Sequence, residues 1–155
     1  MKDPERSIGL FLHIIGIIMI AGGFLGAYIV ARPFWKQVDI DIYKAGAILP
    51  LMKTLPIIIQ LGVLLQVITG IILLHSRTWK YWGENWLTIK LILVALAFTN
   101  GLMVGKKLGA KIGMQIFSPS PDKAALAVLK GKMKNFNFIQ AILLFGILLL
   151  STVFR

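Results

Sequence analysis

An all-α integral membrane four-helix bundle is the fold class this sequence predicts, and three observations carry the prediction. Of its 155 residues, 57% are hydrophobic, against roughly 45–50% in a soluble domain. The apolar residues gather into four runs, each near the roughly 20 residues that carry a helix across the hydrocarbon core. The period-2 alternation of a membrane β-barrel is absent. Backbone groups in lipid must be satisfied within the chain, so each run is expected to be a helix. The same composition excludes disorder. With no cysteine there is no disulfide, thiolate metal site, cysteine nucleophile or thioether-linked haem.

The first run, Ile8 to Ala31, has His13 as its one strongly polar side chain. It is read as a span rather than as a removable leader. The second, Leu55 to Leu74, contains Gln60, Gln66 and Thr69. The third, Trp86 to Val104, contains Lys90 and Asn100, and the fourth, Phe136 to Phe154, contains Gln140. Three connections join them. Arg32 to Thr54 mixes Trp35, Val38, Ile40, Ile42 and Tyr43 with charged residues; a short interfacial helix and an ordered loop both fit it. Ser76 to Asn85 is short and carries Trp79, Tyr81 and Trp82, side chains that favour the headgroup level. Lys106 to Asn135 is divided by Ser118-Pro119-Ser120-Pro121-Asp122, where proline stops one helix and Asp122 can cap the next. The expectation is one transmembrane domain over 1–155, with helices at about 8–31, 55–75, 86–113 and 122–154.

The net charge of +11 has two candidate meanings, a nucleic-acid footprint or a topology signal. Lys2, Arg6, Arg77, Lys80 and Arg155, five basic residues, fall on the side of the termini. The first and third connections hold eleven: Arg32, Lys36, Lys44, Lys53, Lys106, Lys107, Lys111, Lys123, Lys130, Lys132 and Lys134. The positive-inside rule therefore puts both termini outside the cytoplasmic membrane and the two basic connections inside. No nucleic-acid recognition motif accompanies the charge, so the partner expected is the lipid bilayer. Lys90 is the one basic residue within a span.

Small residues suggest how the helices pack. Gly9, Gly16 and Gly23 recur every seven residues, and Gly22 and Gly26 form a GxxxG step. Gly101, Gly105, Gly109 and Gly113 make three more. Such residues let membrane helices approach closely, for internal packing, the favoured reading, or for a homodimer.

Ionisable groups within spans are costly and mark candidate sites. His13 lies five residues into the first run, about 7.5 Å deep at the α-helical rise. Lys90 lies four residues into the third run from the same side, and His75 ends the second there. His13 falls close to the glycine stripe and Lys90 falls on a face with Ala97 and Gly101, so both are expected to face other helices, His13 ranking first and His75 third. Haem b requires an axial imidazole, an apolar slot and donors for its propionates. His13 can supply the first, nearby glycines the second, and Lys90 or His75 a second ligand or a propionate contact. Copper on His13 and His75, with thioethers among Met19, Met52 and Met103, is the alternative. The plain structural reading is a histidine bonded to a neighbouring helix and a snorkelling lysine. Gln60, Gln66, Asn100 and Gln140 read as interhelical hydrogen-bond glue. No span contains Asp or Glu, which argues against a carboxylate proton relay.

Phe11-Leu12-His13-Ile14-Ile15-Gly16 through Ala21-Gly22-Gly23, Thr69-Gly70-Ile71-Ile72-Leu73-Leu74 and Trp86-Leu87-Thr88-Ile89-Lys90-Leu91 resemble the first three helices of the HemJ-like and CopD-like small membrane proteins. The resemblance implies haem b held by His13, with Lys90 as its important partner, or copper-related transport. The chain departs from the HemJ pattern before the last helix, where Lys134-Asn135-Phe136-Asn137 stands instead of Asn-Glu-Val-Pro. Gln140 stands where some CopD-like proteins carry an acid, and the resemblance is nearer the CopD side. The expected function is a small haem b-binding redox protein working with an electron-transfer partner or other membrane subunits. The alternatives are copper or cation transport and a non-catalytic accessory subunit.

Overall fold

Within the described residues every apolar run is helical, as backbone satisfaction in lipid demands. The computed structural model describes residues 4–75 and 84–153. Helix α1 is Pro4–Ile40, α2 Ile42–His75, α3 Asn85–Thr99, α4 Lys106–Ile116 and α5 Lys123–Val153, with a π-helical segment, Asn100–Gly105, joining α3 to α4. Because α3, the π segment and α4 form one rod, the molecule is an all-α bundle of four rods. The stretches Arg6–Ile40, Ile42–His75, Asn85–Ile116 and Lys123–Val153 are each long and apolar enough to cross a membrane, with mean hydropathy of 2.0 to 2.5. Only 6% to 17% of the residues in their most apolar windows are buried within the protein. Ile18, Leu25, Ile71, Phe138 and Phe145 instead point outward. A continuous apolar exterior of that kind suits hydrocarbon rather than water.

The rods pack as two antiparallel hairpins. In the first, α1 lies along α2, and Gly9, Gly16 and Gly23 form the seam. A Cβ built on Gly16 would stand 3.1 Å from the Gly62 carbonyl oxygen, and one on Gly62 would stand 3.0 Å from the Gly16 carbonyl. A Cβ on Gly23 would stand 2.7 Å from Ile59 Cγ1. Backbone-to-backbone approach of this closeness is what small residues supply where lipid removes the hydrophobic drive. In the second hairpin α5 lies along α3, the π segment and α4. Gly105 packs on Phe136 and Gly146 on Leu93. Gly101 and Gly109 face open space, whereas Gly113 packs on Leu49 and Lys53 of α2. The expected internal role thus holds for Gly105 and Gly113 within the third rod.

The first connection differs from expectation. Arg32 to Thr54 is neither a loop nor an interfacial helix; α1 continues through Ile40, and α2 begins at Ile42. Asp41 alone separates them. Its carboxylate accepts the backbone N–H groups of Tyr43 at 3.0 Å and Lys44 at 3.3 Å, which is the capping that starts α2. These extensions carry a core of their own. Phe34, Trp35 and Val38 of α1 meet Ala45 and Leu49 of α2, Leu108, Ile112 and Ile116 of α4, and Leu126 and Leu129 of α5. Phe34 is fully buried and meets Trp35 edge-to-face with centroids 5.0 Å apart. The two hairpins are joined here, at the basic end. Lys130 adds an exposed ion pair to Asp39 at 3.3 Å, a contact of small stabilising value in solvent.

The third connection follows its sequence signals more closely. The α4 helix ends at Ile116, three residues past the expected limit, and prolines 119 and 121 occupy the turn. Asp122 caps α5, accepting from the backbone N–H of Ala124 at 2.8 Å and of Ala125 at 3.2 Å. The aromatic connection with Arg77, Trp79, Lys80, Tyr81 and Trp82, together with Lys2, Phe154 and Arg155, lies outside the described residues.

The seam makes a direct prediction. Gly62→Ile should destabilise the protein by about 1–3 kcal/mol through overpacking. Gly22→Ala, where a Cβ meets nothing within 4 Å, should stay within about 0.5 kcal/mol of wild type. Unfolding titrations in mixed micelles measure both.

Candidate functional site

Residues 9, 13 and 16 share one helical face, so the glycine seam also turns His13 toward α2. His13 is half-buried there, and its Nδ1 lies 2.8 Å from Thr69 Oγ1. Thr69 is fully buried, and its hydroxyl lies 2.6 Å from the Leu65 carbonyl oxygen one turn earlier. A hydroxyl has one hydrogen. With that hydrogen given to Leu65, Thr69 Oγ1 is the acceptor, and His13 Nδ1–H is the donor. The imidazole is therefore held in the Nδ1–H tautomer, and Nε2 keeps its lone pair. Gln66 secures the same turn by donating from Nε2 to the His13 backbone carbonyl. Its amide passes over Gly16, where a Cβ would stand 2.9 Å from Gln66 Nε2. Glycine at 16 thus makes room for the side chain that braces His13.

Lys90 is half-buried on α3, in the other hairpin from His13. All six acidic residues lie outside the apolar runs. Among the described residues Lys90 has neither an ion pair nor a hydrogen bond. An uncompensated cation at the rim of a span is costly, and it creates a place for an anionic group. Among the described residues α3 packs on α5 and has no extended contact with α1 or α2.

His75 is placed differently. It is exposed at the C-terminus of α2, six residues beyond Thr69, or about 9 Å further along the axis. It belongs to the helix end, where a basic side chain complements the helix dipole, rather than to the His13–Thr69 pair. The thioethers are dispersed as well. Met19 contacts Gly62 in the seam, Met52 packs against the basic-end core, and Met103 lies beside Lys107. Among the described residues no group of three or more His, Asp or Glu side chains is placed to hold a metal ion. The slot expected beside the glycines is also not there, because α2 fills it.

A second polar cluster ties the other hairpin. Asn100 Nδ2 donates to Gln140 Oε1 at 3.0 Å, and Gln140 Nε2 donates to the Ala97 carbonyl at 3.2 Å. These residues act as the interhelical glue their positions suggested, and Gln140 is buried. The π segment starts at Asn100, next to this cluster. Sequence reasoning named Thr69 among the polar residues of the second run but gave it no role at the site, although Gln66 and Thr69, three residues apart, share one face of α2.

No family model, curated protein or solved structure matches the chain. The site is therefore read from its own geometry.

The tautomer can be checked by ¹⁵N NMR of histidine-labelled protein in micelles, with His75→Gln used for assignment. His13 is expected to carry its proton on Nδ1. In Thr69→Val the acceptor is gone, and the Nδ1–H signature should give way to the Nε2–H form or to exchange between the two.

Proposed function

We propose that this chain is a small integral-membrane haem b-binding redox protein, with His13 as the axial ligand. The observation that carries the proposal is the His13–Thr69 hydrogen bond. A ligating histidine characteristically donates its other ring N–H to a neighbouring oxygen, which fixes the tautomer and orients the ring. The His13–Thr69 pair is an arrangement of that kind, and His13 Nε2 would be the donor to iron. Lys90 supports the reading from the other hairpin, as a cation available to a haem propionate. His75, further out on the same side, is a candidate contact at the rim.

When bound, the haem would supply one-electron chemistry, at a potential set by its axial ligands and by burial. The residues do the rest: Thr69 orients His13, Gln66 braces its backbone, and Lys90 offsets negative charge. The apolar side chains around them exclude water. The slot for the macrocycle would lie between the hairpins, since the glycine seam is closed by α2. An electron-transfer partner would approach from the His13 side.

The charge distribution supports an orientation with both termini outside and the Asp41 turn in the cytoplasm, because eleven of the 17 basic residues lie at the Asp41 end of the rods. That puts the haem near the outer face of the cytoplasmic membrane.

Protein purified from haem-supplied cells should show a Soret band, absent from His13→Ala and reduced in Lys90→Ala. Thr69→Val should retain less haem and shift its reduction potential. Colourless wild-type protein would reject the haem reading and leave metal transport or an accessory role.

The native absence of cysteine makes orientation easy to measure. A membrane-impermeant maleimide applied to intact cells should label Glu84→Cys and spare Tyr43→Cys until the cells are opened. The reverse pattern would invert the site's sidedness.

A further inference from the structure

The basic end of the second hairpin holds a feature that neither topology nor the His13 site uses. A cleft of about 360 Å³ opens between α4 and α5. Leu108 and Leu129 form its floor and are nearly fully buried, and the exposed Met103 continues it toward the span. Lys107 and Lys111 stand over it from α4, and Lys132 stands over it from α5. Lys107 and Lys111 are one turn apart, an i,i+4 spacing at which like charges repel.

Nothing in the described structure relieves that repulsion. Asp39 is paired with Lys130 and Asp41 with Lys44. Asp122 is engaged in capping α5. Three cations therefore surround an apolar cleft with no acidic neighbour. The lysines follow the third apolar run and precede the fourth, the sequence position at which headgroups are expected, whereas Met103 lies within the third run.

We propose that this cleft is a binding site for an anionic phospholipid. Its phosphate is held by Lys107, Lys111 and Lys132, and the start of an acyl chain lies along Met103, Leu108 and Leu129. Charge complementarity and depth together select this occupant. A zwitterionic lipid brings no net negative charge, and a soluble phosphate leaves the apolar floor bare. Basic pockets at membrane helix ends recognise headgroups in this way.

Native mass spectrometry of the full chain in detergent tests the proposal, with dioleoyl phosphatidylglycerol, dioleoyl phosphatidylcholine and inorganic phosphate as probes. Each basic residue near an anionic lipid surface contributes about a fivefold factor. Wild type should accordingly retain phosphatidylglycerol at least about tenfold more tightly than phosphatidylcholine. The triple variant Lys107→Gln/Lys111→Gln/Lys132→Gln should lose that preference. Lys36→Gln/Lys44→Gln/Lys123→Gln, which removes the same charge elsewhere, should keep it. Circular dichroism checks that each variant is folded. If the triple variant does not purify, Lys132→Glu alone should lower the preference severalfold. Equal losses in both triples, equal retention of both lipids, or displacement of the lipid by inorganic phosphate would each overturn the proposal.

Discussion

Lipid offers a helix no reward for burying a leucine against another helix, so the attraction between membrane helices has to come from contact itself. In this protein that contact is the seam between α1 and α2, where Gly16 and Gly62 bring two backbones together without an intervening side chain. The approach decides more than stability. It lets the Gln66 amide cross to the His13 carbonyl, and it brings Thr69 Oγ1 to His13 Nδ1. A larger residue at 16 would push the helices apart and remove both bonds. The candidate site is a consequence of the seam.

A different force operates where the rods leave the hydrocarbon. The extensions of α1 and α2 beyond Ala31 and before Leu55 bury Phe34, Val38, Ala45 and Leu49 against α4 and α5. In water such burial is favourable in proportion to the apolar area removed. The molecule is therefore fastened at its basic end by an ordinary hydrophobic core. Toward the other end each hairpin keeps its own polar clasp, His13–Thr69 in one and Asn100–Gln140 in the other.

Charge is arranged with the same economy of means. Acidic residues are few: of the six, Asp41 and Asp122 start helices, and Asp39 meets Lys130. The excess of base over acid, 17 Lys+Arg against six Asp+Glu, leaves most basic side chains without an acidic partner to meet. Lys90 is the one basic residue that lies within an apolar run.

Four long apolar helices, the gathering of the basic connections at one end, the capping by Asp122 and the inward face of His13 were all legible in the sequence, because each depends on local periodicity or composition. The segment from Arg32 to Thr54 was not. Its apolar residues look irregular until the partners on α4 and α5 are known, and a single Asp at position 41 resembles loop as much as cap. Thr69 was equally silent, since a threonine in a span bonds its own helix in most settings. Only the tertiary structure, by fixing the register of α2 against α1, set that hydroxyl opposite His13. It also showed the glycine seam to be filled. Register is a property of two helices together, and no single stretch of sequence contains it.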